Sequence, residues 1–301
     1  MPIELPPWNF SGPADGPKLL VSGGVHGDEF EPIHAIHRLI REFESGEREL
    51  AAGSLALVPI VNRAAYIRGH RVAEEDGLDL ARTCPGDPEG TTTEQAAHAI
   101  SEKIRKADLY IDLHTGGTEL AVWPLTGYHL AEDAEILETQ RRMARAFNLP
   151  FIWGTSPKVD GRTLSVSRDA GVPGIYAEYL GSATMSPQGC DAYFEGCLNV
   201  MAEFGLIERS QPESRVVHVV EDDRPESGHM QICNPSPITG FFEAAVSLGE
   251  QVETNQLLGT VSSLDLQEQH EIRAAESGIL LVLRTFPRVR EGETCGVVVA
   301  V

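Results

Sequence analysis

The sequence predicts a two-part protein: an α/β domain over residues 1–215 and a small all-β domain over residues 216–301. Three observations carry this. At 301 residues the chain is long for one compact domain. Strand-like and helix-like segments alternate as far as about residue 210, which is the pattern of a mixed, mostly parallel sheet with helices on both faces. Beyond the polar, proline-containing tract ERSQPESRVVHVV the helical periodicity stops, and short β-prone runs are punctuated by glycine.

The elements follow in order. KLLVSGGV reads as a buried strand and EPIHAIHRLIREFES as an amphipathic helix. SLALVPIV is a second strand. The tract 62–90 is polar, rich in Arg, Asp and Gly and without periodicity, and a loop of that length in a compact domain is usually functional. Thr91 and Glu94 have capping-box spacing and open a helix that runs to Lys106. ADLYIDLH and AVWPL are strands, AEDAEILETQRRMARAFN is a helix, FIWGT and GIYAEYL are strands, and CDAYFEGCLNVMAEFGLI closes the series as a helix. In sheets of this kind, ligands sit at the carboxyl ends of the strands.

In the C-terminal part, SLGEQV and RVREGETC occupy similar places in two halves that share one rhythm. The pattern resembles the barrel-sandwich fold of lipoyl and biotinyl domains. The stretch that would carry the modified lysine, SSLDLQEQHEI, has none, and no lysine follows Lys158, so a swinging-arm carrier is excluded.

Composition narrows the function classes. A hydrophobic content of 42% and a charged content of 23% are those of a globular protein with a sizeable core. A net charge of −21 opposes binding to nucleic acid or to an anionic membrane surface. No run has the roughly 18 apolar residues of a membrane span, and the first 17 residues lack a secretory pattern. Cys84, Cys190, Cys197, Cys233 and Cys295 are scattered, with no CxxC pair. They indicate neither a disulfide framework nor a cysteine zinc knot, and a cytoplasmic setting is expected. Homo-oligomerisation is compatible with all of this.

The chemistry begins at VSGGVHGDEFEP, where a strand ends in His26 and Glu29. A His-x-x-Glu pair on a strand-to-helix turn can bring an imidazole nitrogen and a carboxylate oxygen to one point, and glycines allow the sharp bend. Alone, the pair is common. A second strand, ending in DLHTGG, puts His114 85 residues after Glu29. Two parallel strands ending in His at one sheet edge can converge on an ion, and His, Glu, His with one open position is a catalytic type of zinc site. Asp112 is a candidate to orient a ligand from behind. His34 and His37 fall on the following helix and read as helix-face residues, and His70 lies in the arginine-rich loop. No serine sits in a G-x-S-x-G elbow, and the glycines match neither GxGxxG nor a P-loop, so a serine hydrolase and a nucleotide binder are unsupported.

HGDE, DLHTG and YAEYLG together resemble the succinylglutamate desuccinylase and aspartoacylase family, within the zinc carboxypeptidase superfamily. The resemblance spans the catalytic domain and extends to the β-rich C-terminal one. It implies a zinc carboxypeptidase-like fold for residues 1–215 and one Zn2+ per chain held by His26, Glu29 and His114. It also implies hydrolysis of the amide of a small N-acyl amino acid to a carboxylate and a free amine. Glu178 matches the family's general base, and Arg71 the arginine that polarises the scissile carbonyl. Arg82 and Arg168 match substrate-binding arginines. The family's Asp-Leu-Asn-Arg reads Asp79-Leu80-Ala81-Arg82 here, so an amide partner for substrate is missing. The C-terminal domain is expected to close over the site. Two alternatives share the same residues: a metallocarboxypeptidase acting on peptides, and a zinc- or ligand-binding protein without turnover.

Overall fold

Apolar runs flanked by glycine and polar turns become the strands of one large sheet, and apolar stripes at helical spacing fasten helices to both its faces. The computed structural model describes residues 5, 8–225, 227–230 and 233–301; the N-terminal tract without a secretory pattern begins outside them. In chain order the first part contains β1 (Trp8–Ser11), β2 (Lys18–Ser22), α1 (Glu31–Ser45), β3 (Ser54–Val58), α2 (Arg63–Arg68), α3 (Thr92–Ile104), β4 (Leu109–His114), β5 (Leu120–His129), α4 (Ala134–Phe147), β6 (Phe151–Thr155), α5 (Thr163–Asp169), β7 (Gly174–Gly181) and α6 (Pro187–Glu203). The remainder contains β8 (His218–Glu221), β9 (Gly240–Ala244), β10 (Gln251–Val252), β11 (Leu257–Ser263), β12 (Gln269–Arg273), β13 (Gly278–Arg284), β14 (Arg288–Val289) and β15 (Gly296–Val299).

Strand order in the large sheet is β1-β3-β2-β4-β7-β5-β13-β10, with β6 between β5 and β8 and with β15 on β13. The pairings β2–β3, β2–β4, β4–β7, β5–β6 and β6–β8 are parallel, while β1 and β5 run against their neighbours β3 and β7. Alternation along the central strands divides the core. Ile111, Leu113, Ile175 and Ala177 join a cluster with Ile36, Leu39, Met143 and Phe194 from α1, α4 and α6. Leu20, Tyr110 and Tyr176 face the other way, toward Ala97 and Ile100 of α3 and Leu164 and Val166 of α5. Fully burying one such side chain contributes about 1.5–3 kcal/mol.

Local signals set the helix ends. Thr91 and Glu94 form both halves of a capping box at α3. Asp133 accepts from two backbone N–H groups at the start of α4, and Asn148 ends it in a left-handed conformation. The arginine-rich tract is less irregular than its composition suggests. Asn62 caps the short α2 by accepting from the Ala65 N–H, and Asp79 caps a 3₁₀ turn at Leu80–Arg82. These helices are too short to show periodicity, and so is α5, which no pattern in the sequence marks.

The C-terminal part forms a four-stranded antiparallel sheet, β12-β11-β9-β14. Phe242, Leu258 and Val261 pack with Leu280, Leu283 and Val298 of β13 and β15 in a third core. This part is continuous with the large sheet, because β13 pairs with β5 through Val282 and Val122. β8, just beyond the expected boundary at residue 215, also extends the large sheet. No helix among the described residues is long and apolar enough to cross a membrane.

Candidate active site

β2, β4 and β7 are parallel neighbours that end at one sheet edge, and each delivers part of the site there. The chain leaves β2 through a turn that carries His26 and Glu29 into α1. Gly24 adopts a left-handed φ of 60°. A Cβ on Gly27 would lie 2.0 Å from the backbone of Ala65, so glycine lets α2 pack against the turn. β4 ends in His114, which is in register with Glu178 on β7. The two members of a registered pair in a β-ladder share a face, so imidazole and carboxyl project to the same side.

Glu29 stands between the two imidazoles. His26 Nδ1 is 2.7 Å from its Oε1, and His114 Nδ1 is 3.1 Å from its Oε2. One ligand atom from each of the three residues lies within 4.8 Å of the others. The far nitrogens are held as well: His26 Nε2 is 3.1 Å from Asp79 Oδ1, and His114 Nε2 is 3.1 Å from Asp112 Oδ2. Two imidazoles turned inward by outer carboxylates, with a third carboxylate between them, form the nitrogen and oxygen donor set that suits zinc. Burial works against ionising all these groups, yet mutual attraction prevails. Glu29 is held below the ordinary carboxyl range by His26 and His114, and His114 is pushed well up by Asp112 and Glu29. A divalent cation between the rings would replace the protons that now balance these carboxylates.

Asp112 is itself anchored. It is fully buried and accepts from Ser22 Oγ at 2.7 Å and from the Thr163 hydroxyl at the start of α5. Tyr110 Oη is 2.7 Å from Ser22 Oγ, which extends the network into the core. Asp79 serves two partners: besides His26, its Oδ2 accepts from Arg71 Nε and Nη2 at 3.1 and 2.9 Å. This pairing directs Arg71 Nη1 toward the cluster, 3.5 Å from His26 Nδ1.

Glu178 is 7% exposed, and its Oε2 has no hydrogen-bond partner among the described residues. Burial, reinforced by the Glu29 charge and opposed by His114, pushes its carboxyl up to about 7. A carboxyl tuned near neutrality can both take and return a proton.

A cavity of about 80 Å³ joins these groups. His26, Glu29, Arg71, Arg82, His114 and Glu178 line it, so the structure brings together every expected site residue except Arg168. Arg168 lies outside, bound to Asp160, Asp169 and the Pro157 carbonyl. Arg162 enters the cavity instead. Its Nη2 donates to the Gly228 carbonyl at 3.3 Å, and its Nε is buried without a partner among the described residues. Burial, then repulsion from Arg82 and Arg71, lowers Arg162 to about 10, so it stays charged at neutral pH. The resemblance pointed to Arg168; in the fold it is Arg162, at the N-cap of α5, that lines the cavity. Asp79 was visible in the Asp-Leu-Ala-Arg stretch but stood there only as a neighbour of Arg82. Ala81 lines the cavity, His34 and His37 are exposed on α1, and His70 is exposed outside the cavity.

The family model of the succinylglutamate desuccinylase/aspartoacylase catalytic domain matches residues 15–204. The chain is 29% identical over 293 residues to the N-alpha-acetyl-L-2,4-diaminobutyric acid deacetylase of Halomonas elongata, covering 95% of this chain and 83% of that protein. It is 34% identical over 107 residues to a succinylglutamate desuccinylase of Pseudomonas aeruginosa, covering 34% of this chain and 32% of that protein. Among solved structures, the product-bound ectoine utilization protein EutE (DoeB) of Ruegeria pomeroyi superposes with a TM-score of 0.86 at 26% identity, covering 96% of this chain and 87% of that one. A succinylglutamate desuccinylase/aspartoacylase of Rhodobacter sphaeroides gives a TM-score of 0.84 at 28% identity, covering 95% of this chain and 86% of that one. With a family match over most of its length and deacylases among its relatives, the chain belongs to the succinylglutamate desuccinylase/aspartoacylase family.

Proposed function

We propose that this protein is a zinc-dependent deacylase that hydrolyses the amide of a small N-acyl amino acid. One observation carries the reading: Glu178, a buried carboxyl with an unpartnered oxygen and a pKa near 7, stands beside a His–Glu–His donor set. Zinc held by His26, Glu29 and His114 would supply a Lewis acid and lower the pKa of water toward neutrality.

The chain's own groups do the rest. Glu178 accepts a proton from the attacking water as its oxygen bonds to the acyl carbon. The C–N bond then breaks, and Glu178 returns that proton to the departing nitrogen, leaving a carboxylic acid and an amine. Arg71, clamped by Asp79, presents positive charge where the carbonyl oxygen becomes anionic. Arg82 and Arg162 line the same cavity and hold the substrate carboxylate, for which a guanidinium offers paired donors. Arg162 takes the place expected of Arg168. Residues 216–301 restrict access to small substrates, and Met230 already lines the cavity. No disulfide joins the cysteines among the described residues, which suits a cytoplasmic enzyme.

The test is metal analysis of the purified protein together with a panel of N-acetyl, N-succinyl and N-formyl amino acids and short peptides. N-acetyl-2,4-diaminobutyrate belongs in the panel because the Halomonas relative is named for it. One zinc per chain and hydrolysis confined to N-acyl amino acids are expected. Absence of bound metal, or turnover of peptides alone, would overturn the reading.

A further inference from the structure

The cavity does not end at the metal cluster. It runs under the start of α5 to His129, the last residue of β5. In the β5–β7 pairing Leu125 stands opposite Glu178 and Gly127 opposite Tyr176. His129, two residues further on, therefore projects from the same face of the sheet as Glu178. Arg162, Leu164 and Tyr176 line this end with it. His129 also lines a separate cleft, so it stands between two cavities.

His129 is 3% exposed, and its ring forms no hydrogen bond among the described residues; its Nδ1 is completely enclosed. Burial, then the charges of Arg162 and Arg168, pushes the imidazole down to about 3. The ring is neutral at physiological pH and carries one donor and one acceptor. A buried polar group without a partner is destabilising, a penalty that a leucine in its place would not carry. Arg162 Nε, on the same recess, is also buried and unpartnered. Both belong to residues that line one end of the cavity, where a polar ligand would meet side chains with hydrogen-bonding capacity left unused among the described residues.

The charge at this end favours an oxygen. Arg162 is cationic, and the carboxylates that line the cavity, Glu29, Asp112 and Glu178, belong to the metal cluster. Asp160 and Asp169 lie in the cleft beyond the ring. An ammonium would meet a guanidinium, with no further carboxylate lining the cavity among the described residues, while an oxygen can accept from His129 and sit by Arg162.

We propose that His129 is a specificity-determining residue: it hydrogen-bonds the end of the substrate remote from the scissile amide, and it favours an end that terminates in oxygen over an ammonium or a methyl. The proposal rests on the deacylase reading for which end is which.

The test is equilibrium binding of free amino acids to the zinc-loaded full chain by calorimetry, which requires no turnover. Glutamate, glutamine, norvaline and 2,4-diaminobutyrate are the probes. The unmodified protein is expected to prefer glutamate and glutamine by about tenfold over the other two, the effect of one hydrogen bond. His129→Leu should bring that ratio close to one and leave Tm unchanged or raised, and His129→Gln should keep part of the preference. No preference in the unmodified protein, or a preference that survives in His129→Leu, overturns the proposal. Should His129→Leu fail to fold, the 15N shifts of the His129 ring on adding glutamine decide: movement supports the contact, and no movement overturns it. A protein that shows the binding preference yet hydrolyses no N-acyl amino acid would fail the deacylase reading alone.

Discussion

His114 and Glu178 stand side by side in register on adjacent parallel strands, so the spacing between the proposed metal ligand and the proposed proton carrier is fixed by a hydrogen-bonded ladder. Strand-borne groups hold their relative positions more tightly than loop-borne ones. Glu178→Gln should therefore leave metal content at one zinc per chain while lowering kcat by about 100-fold or more, the usual contribution of general acid–base catalysis. Metal analysis and steady-state kinetics on the same preparation check both halves. Retained activity would remove Glu178 from the mechanism.

The same carboxyl makes a prediction about stability with the opposite sign. Its folded pKa of about 7 lies above the ordinary 4.5, because burial disfavours the charged form. Its favourable contribution is full below about pH 4.5 and is lost as pH rises through 7. In the metal-free protein Glu178→Gln should thus be the more stable form at pH 8, by roughly 2–3 kcal/mol. Denaturant titrations of both forms at pH 5 and pH 8 measure this, and the gap should close at the lower pH.

Metal binding should stabilise the fold. A ligand present at about 1,000 times its Kd adds roughly 4 kcal/mol to the folded state. Chelation is expected to abolish activity and lower Tm, and zinc is expected to restore both. His26→Ala and His114→Ala should abolish the response of Tm to zinc.

Asp112 and Asp79 grip the far nitrogens of the two imidazoles. Asp112→Asn and Asp79→Asn are each expected to weaken zinc affinity by about 10- to 100-fold. Asp79→Asn should in addition lower kcat, because Arg71 loses its charged clamp. Competition with a chelating dye separates the two effects.

The arginines divide by location. Arg162→Ala should raise KM by about tenfold or more, since charge-assisted hydrogen bonds contribute about 1.5–3 kcal/mol. Arg168, paired with Asp160 and Asp169 outside the cavity, should tolerate alanine with kcat/KM nearly unchanged. A large effect at Arg168 and none at Arg162 would reverse the assignment.

The grouping of His26, Glu29 and His114 was legible in the sequence because its signals are local: two apolar strands each run into a histidine, and Glu29 follows His26 by three residues. The alternation of strands and helices was legible for the same reason. Arg162 and His129 were not, because their roles depend on the path of α5 and on the pairing of β5 with β7, which bring together residues that no spacing rule connects. Asp112 lies between these cases. Its separation of two residues from His114 places both on one face of β4, but its anchoring by Ser22 and Thr163 needs two other elements.

The bond between β5 and β13 bears on how this protein can be taken apart. β5 gives one end to the C-terminal strands, its middle to β7 and its last residues to β6. A chain cut at residue 215 would leave Leu120, Ala121 and Val122 as a bare, apolar margin, the kind of edge that recruits other molecules into aggregates. The two parts are therefore poor modules for exchange or fusion, and a graft from a relative would need to carry β5 and β13 together.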